Sequence, residues 1–199
     1  ISGSFTSLLE STQQDTATYF LNTLRPADAT RIAFGARWQR SKIEQNDLTF
    51  TPAVKQSQTR ALNAFDMSVR QALSDPLSVY GRWAQSFRTA NVDDNGFTAD
   101  GKLLEPQTSH DAELGFEVKH APARARVALF ESRVNNEIHY LPSTVYLPFG
   151  ININLPPTRH RGVELDASWK VLPTLNLAAT YRYTRALFRD GSFGGADVS

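Results

Sequence analysis

The sequence predicts an all-β protein: an antiparallel up-and-down transmembrane β-barrel segment, about eight strands in four hairpins of a larger barrel. Three observations carry that prediction. Prolines at near-constant spacing mark short turns. Apolar and polar residues alternate with a period of two beside those turns. The short connections fall at one end of the strands and the long ones at the other.

Pro26, Pro76, Pro122 and Pro173 are separated by 50, 46 and 51 residues. Each sits in a short connector: Arg25-Pro26-Ala27-Asp28, Ser74-Asp75-Pro76, Ala121-Pro122-Ala123 and Leu172-Pro173-Thr174. Proline pre-sets φ and has no N–H to give to a sheet ladder, so these connectors read as tight turns. The repeating unit is one hairpin plus one long connection.

The elements follow in chain order. Residues 14–24 alternate weakly and are read as a strand because a clear one lies across the Pro26 turn. There Ile32, Phe34, Ala36 and Trp38 oppose Arg31, Arg37 and Gln39. Residues 57–73 again alternate weakly beside the Pro76 turn. Ala112, Leu114, Phe116 and Val118 then oppose Asp111, Glu113, Glu117 and Lys119. Residues 124–140 are read as one strand with a bulge or change of face near Leu129–Phe130. Val163, Leu165, Ala167 and Trp169 share a face against Gly162, Glu164, Asp166, Ser168 and Lys170. Past Pro173, Leu175, Leu177, Ala179, Tyr181 and Tyr183 oppose Asn176, Thr180, Arg182 and Thr184. A helical period of 3.6 would scatter every one of these sets.

Segments of roughly 10–14 residues exceed the usual soluble strand of about 5–6 and match the ~9–11 needed to cross a bilayer. Trp38, Trp83, Phe87, Trp169, Tyr181, Tyr183 and Phe188 lie near strand ends. They fit interfacial girdles, and equally fit ordinary aromatic enrichment in strands. Long connections are expected over residues 42–56, 89–108 and 141–157, with another from residue 189. Short turns on one side and long loops on the other is the barrel arrangement.

Composition narrows the function classes. The 21 basic and 20 acidic residues leave a net charge of +1, which gives no reason to expect nucleic acid as a partner. A mean hydropathy of −0.36 suits a barrel, whose strands average lipid-facing and lumen-facing residues. There is no cysteine, so disulfide scaffolds, thiolate chemistry and cysteine zinc sites are excluded. No secretory leader is legible at Ile1-Ser2-Gly3-Ser4-Phe5.

Catalytic and metal motifs are weak. His110, His120, His139 and His160 are separated by 10, 19 and 21 residues, which matches no ligand spacing. There is no Gly-x-Ser-x-Gly elbow, and Asp93-Asp94-Asn95-Gly96 with Asp100 and Gly101 lacks the order of a calcium loop. The expectation is no enzyme, no metal and no cofactor. Arg159-His160-Arg161 is read either as a contact for anionic lipid headgroups or lipopolysaccharide, or as a strand cap at the interface.

Several stretches resemble the barrel of TonB-dependent outer-membrane receptors. Tyr80-Gly81-Arg82-Trp83-Ala84-Gln85-Ser86-Phe87-Arg88 is similar to a family strand ending in Ser-Phe-Arg-x-Pro, with Ala90 here in place of proline. Leu104-Glu105-Pro106-Gln107-Thr108-Ser109 with Glu113-Leu114-Gly115 resembles L-x-P-E-x-S…E-L-G, with Gln107 replacing the acid. Asn136-Glu137-Ile138, Asn154 and Arg161-Gly162-Val163-Glu164-Leu165 resemble the succeeding run. Tyr181-Arg182-Tyr183-Thr184 through Asp190-Gly191 resembles the next hairpin arm. The likeness spans residues 79–191.

The resemblance implies a large barrel, typically of 22 strands, closed around a plug in the bacterial outer membrane. It implies active uptake of a ferric siderophore or similar bulky nutrient, energised by the TonB complex through the plug. Residues 1–199 would then be a partial β-barrel domain, with the plug and final strands outside the chain. Arg37, Arg82, Glu113, Glu117, Glu164, Asp166 and Arg182 are expected to face the lumen and hold the plug by exchangeable ion pairs. Phe97, Tyr146 and Phe149 are candidates for ligand contact, or for packing their own loops. The alternatives are a passive outer-membrane porin and a soluble all-β binding module.

Overall fold

The computed structural model describes residues 8–49, 52–143, 150–190 and 193–198. Ten strands run along them: β1 (Leu9–Ala27), β2 (Thr30–Asp47), β3 (Val54–Ala72), β4 (Leu77–Arg88), β5 (Gln107–His120), β6 (Ala123–Asn135), β7 (Glu137–Leu141), β8 (Ile151–Leu155), β9 (Thr158–Leu172) and β10 (Leu175–Phe188). Eight form one antiparallel sheet in the order β1-β2-β3-β4-β5-β6-β9-β10. Strands β7 and β8 form a separate ribbon inserted between β6 and β9.

Three of the four proline turns lie where the sequence places them, with strand ends at Leu77, Ala123 and Leu175. At Pro26 the turn moves. Pro26 is inside β1, the register slips between Leu24 and Ala27, and the chain reverses after Ala27. A residue without an N–H breaks the ladder, and the sheet absorbs it as a bulge.

Cross-strand partners sort the side chains into two faces. One row of direct partners runs Ile32, Val69, Gly81, Leu114, Leu129, Val163 and Tyr183. The parallel row nearer the turns runs Val79, Phe116, Val127, Leu165 and Tyr181. These rows build an apolar face whose large side chains stand in the open, Leu129 and Tyr181 being 59% and 56% exposed. The intervening rows are polar and charged. In water such a face would be costly, at roughly 25 cal/mol per Å² of apolar surface left uncovered. Against hydrocarbon it costs nothing.

The band of apolar residues is oblique to the strands. On β10 it ends at Tyr183, with Arg185 next on that face. The row through Tyr183 meets β2 at Ile32, yet on β2 the band continues to Trp38 before Arg40 ends it. The limit thus climbs about six residues over six inter-strand steps, roughly 20 Å along for 29 Å across. That slope of roughly 35° is the strand tilt of membrane barrels. The band becomes level when the strands are tilted as in a barrel wall.

Above Trp38 the first three strands continue with mostly polar residues on both faces, as in Arg40, Lys42 and Glu44 against Gln39, Ser41 and Gln45, with Ile43 a buried exception. This corrects two expectations. Strands β1, β2 and β3 are 19, 18 and 19 residues long, not 10–14. The connection expected over residues 42–56 shrinks to residues 48–53. With no apolar face there is no alternation to read, but main-chain pairing runs unbroken from Asp47↔Val54 downward.

Three further expectations change. Residues 124–140 are two strands, split at Asn136, whose φ of 52° turns the chain out of the sheet. The ladder shows no bulge at Leu129–Phe130; its register is continuous on both sides. Phe130 is instead an apolar residue on the polar face, lying under the Arg182 guanidinium at 5.0 Å. The connection over residues 141–157 contains most of the β7–β8 ribbon. Of the aromatics read as girdles, Trp38, Trp83, Trp169, Tyr181 and Tyr183 lie on the apolar face, whereas Phe188 pairs with Thr158 on the polar face and Phe87 carries the Arg37 guanidinium at 5.8 Å.

A charge at mid-band separates the faces. Leu165→Arg should cost roughly 2–4 kcal/mol in the full barrel, and Thr180→Arg, which faces Asp166, less than about 1. Reversible unfolding in lipid vesicles measures both, and equal costs would contradict the face assignment.

Candidate functional site

The polar face carries three groups of ion pairs that together span six strands. Arg82 Nε donates to Asp66 at 2.7 Å, linking β4 to β3. Arg70 reaches Glu117 at 2.7 Å and Ser78 Oγ at 2.8 Å. Glu117 also takes Lys119 and Arg124, each at 2.9 Å, so three cations surround a carboxylate that is 5% exposed. Arg126 on β6 is the hub. It donates to Glu113 on one side and reaches Asp166 at 3.1 Å and Glu164 at 3.7 Å on the other. Glu164 passes the chain to Arg182 at 3.3 Å.

Tyr80 closes the hub. Its hydroxyl donates to Glu113 and accepts from Arg126 Nε at 2.6 Å. It reaches them by lying flat across β5, and the residue beneath it is Gly115. A Cβ there would stand 2.4 Å from the Tyr80 ring. Gly115 is therefore part of the site, because only a residue without a side chain leaves room for that ring.

All seven residues expected in the lumen, Arg37, Arg82, Glu113, Glu117, Glu164, Asp166 and Arg182, fall on this face. Six form ion pairs there: Glu113, Glu164, Asp166 and Arg182 around Arg126, Glu117 in a second group and Arg82 in a third. Arg37 stands apart, bonded to Gln39 and stacked on Phe87. The sequence reading missed Arg126, Tyr80, Arg70 and Asp66. Arg126 was findable: Arg124 and Arg126 alternate with Ala125 and Val127. Tyr80 was not, since an aromatic among apolar neighbours carries no sign of which way it points.

Residues 89–106 are not a freely solvated loop. Arg88 holds Asp94 through both carboxylate oxygens at 2.9 and 2.8 Å, which assigns Asp94 an ion-pair role. Asn95, 4% exposed, accepts from Leu104 N at 2.7 Å and donates to Asn91 O at 2.9 Å. Gln45 and Gln56 on β2 and β3 donate to the Asn95 and Gly101 carbonyls at 3.0 and 2.6 Å. Arg60 Nε donates to Glu105 at 2.9 Å. From β8, Asn152 and Asn154 donate to the Asp94 and Glu105 carbonyls, both at 2.9 Å. The loop roofs the polar face of upper β2, where Gln39, Ser41, Ile43 and Gln45 are buried.

Under the roof a cleft of about 470 Å³ lies among Gln45, Gln56, Asn95 and Phe97. Phe97, 51% exposed, lines it. Tyr146 and Phe149 lie outside the described residues. His160 bonds Glu137 at 3.0 Å beneath the buried Thr158, linking β7 to β9. That places the middle residue of Arg159-His160-Arg161 on the polar face and its two arginines on the other.

A sheet with one lipid-type face, one charge-networked face and roofing loops at a single end is the wall of a transmembrane barrel. The chain belongs to the TonB-dependent receptor-like β-barrel family, whose model matches residues 3–199. That family is one of receptors rather than enzymes. Among solved structures, the fold is similar to the ferric citrate transporter FecA, with TM-score 0.73 and 21% identity over 99% of this chain. It is similar to the ferric yersiniabactin uptake receptor FyuA of Yersinia pestis, with TM-score 0.72 and 20% identity over 92%. The copper transporter OprC gives TM-score 0.73 and 14% identity over 89%. The chain spans only 30%, 28% and 30% of these three proteins. No match was found among curated proteins.

Gly115→Ala should displace Tyr80 from the hub at about 1–3 kcal/mol, the usual cost of overpacking. Tyr80→Phe should cost about 1 kcal/mol. Because both remove the same hydroxyl bonds, the double variant should fall short of their sum by a measurable coupling. Additive unfolding free energies would disconnect Gly115 from the network.

Proposed function

We propose that this chain is part of the wall of an outer-membrane importer. Its outer loops bind a bulky metal chelate, and its charged face holds a plug that is moved through TonB. The observation that carries this reading is the two-faced wall itself: an open apolar band outside and an ion-pair network inside. A face lined by exchangeable ion pairs grips a polar plug yet lets it shift, since no single exposed pair contributes more than about 1 kcal/mol. The similar structures support the cargo class, because their names specify ferric citrate, ferric yersiniabactin and copper. Phe97 beside the roofed cleft supplies rigid aromatic contact area for such a ligand. The apolar band disfavours a soluble module.

The test is uptake of radiolabelled ferric siderophores and copper chelates by Gram-negative cells whose own receptors are deleted and which carry the full-length receptor. Accumulation of one chelate that vanishes when TonB is deleted is expected. Accumulation that survives without TonB would make the protein a passive channel instead. In the same cells Phe97→Ala should weaken binding of the transported chelate by at least about fivefold, the effect of truncating an aromatic anchor.

A further inference from the structure

The roof over upper β2 is built around Asn95-Gly96, the only Asn-Gly pair in the 199 residues. Asparagine before glycine is the pair most prone to deamidation, because glycine has no side chain to hinder its own amide nitrogen. The Gly96 nitrogen attacks Asn95 Cγ and gives up its proton as the N–Cγ bond forms. The Cγ–Nδ2 bond breaks and ammonia leaves. Water then opens the five-membered imide at either carbonyl, leaving aspartate or isoaspartate. No oxidant, reductant or cofactor takes part.

The reacting groups are all held in other bonds. Gly96 N, the nucleophile, donates to Asp93 O at 3.1 Å. Asn95 Oδ1 accepts from Leu104 N at 2.7 Å, and Nδ2, the leaving nitrogen, donates to Asn91 O at 2.9 Å. The carboxamide is thus turned away from Gly96 N. Neighbouring strands fix the same stretch from outside. Gln45 Nε2 donates to Asn95 O at 3.0 Å, Asn152 Nδ2 to Asp94 O at 2.9 Å and Asn152 N to Phe97 O at 2.7 Å. Asn95 is also buried, which keeps from it the water that would open the imide. Reaction therefore requires these local bonds to break first, and its rate scales with the fraction of molecules in which they are broken.

We propose that Asn95 is a deamidation site gated by the hydrogen bonds of the roof, and that its conversion is a one-way switch after which the roof no longer closes as before. The product explains the single direction. A carboxylate at position 95 has no N–H for Asn91 O and sets oxygen against oxygen there. It places a charge where water barely reaches, and an unpartnered charge in such a place is costly. Asp93 and Asp94 flank it, and the nearby Arg88 is already engaged by Asp94. Isoaspartate also adds a methylene to the main chain, which shifts Gly96 and Phe97 relative to Asn152. Asn95, Gly96 and Phe97 line one cleft, so conversion puts a negative charge into it.

The experiment incubates the full-length receptor in an uncharged detergent at growth temperature and mildly alkaline pH. Mass spectrometry of the tryptic peptide 89–102 follows the mass gain of deamidation, with a digest at time zero as baseline. A synthetic peptide of the same residues should convert at least about tenfold faster than the folded receptor. Gln45→Ala, which removes one bond to Asn95, should speed conversion in the folded receptor about threefold or more, the population shift that one lost hydrogen bond gives. Asn95→Asp stands for the product, and should raise amide hydrogen exchange over residues 91–104 at least about fivefold. Heat-modifiable mobility on gels establishes that each variant is folded, and Asn152→Ala serves if Gln45→Ala is not. Equal rates in the peptide and the folded receptor, or a rate that the folded roof variants leave unchanged, overturns the gating. Unchanged exchange in folded Asn95→Asp overturns the switch. Uptake of cargo enters none of these measurements, so they stand or fall apart from the import reading.

Discussion

Everything in this structure depends on one requirement of backbone in hydrocarbon: each N–H and C=O must find a partner within the protein. The eight-stranded ladder meets it between neighbouring strands and leaves the outer edges of β1 and β10 without a strand partner among the described residues. Pairing fixes the period of two, and the period of two forces each strand to show one face to lipid and the other inward. The charged network, the girdle residues and the outward Arg159 and Arg161 are all consequences of which parity a residue falls on. A one-residue slip would exchange Leu114 for Glu113 and Val163 for Glu164 across the whole wall.

The fold was legible where two faces differ in polarity. Between the short turns and Trp38 the alternation marked β2, β5, β9 and β10 directly, the weakly alternating β1 and β3 were placed by the proline turns beside them, and those turns set strand ends to within two or three residues. Legibility failed above the band. Residues 39–47 and 54–63 are mostly polar on both faces, with only scattered apolar residues such as Ile43 and Leu62, so their long pairing leaves no periodic trace. It failed also at Leu129–Phe130, where an apolar residue on the polar face imitated a bulge. There Phe130 is covered by the Arg182 guanidinium, a contact between residues 52 apart in sequence that no local pattern encodes.

The candidate site shows the same division. Charges such as Glu113 and Glu164 declare their face by sign alone. Tyr80 and Gly115 do not, because a tyrosine suits either face and a glycine has no direction. The network needs both: the glycine makes a gap, the tyrosine fills it, and only then do Glu113 and Arg126 share a hydroxyl. Asn91, Asn95, Asn152 and Asn154 were equally silent. Each reads as loop polarity in sequence, and each proves to satisfy backbone groups of the roof over upper β2.

Those asparagines give the roof a particular mechanical character. Its anchors come from five different strands or loops: Gln45 on β2, Gln56 and Arg60 on β3, Arg88 on β4, Asn152 and Asn154 on β8, and Asn95 within. None is strong, but they share carbonyls and carboxylates of one short segment, so loosening one leaves the others holding it in place. The segment is thereby a cooperative unit, because its order rests on many weak bonds made together. Removing any one anchor would therefore be felt along the whole segment rather than at a single bond.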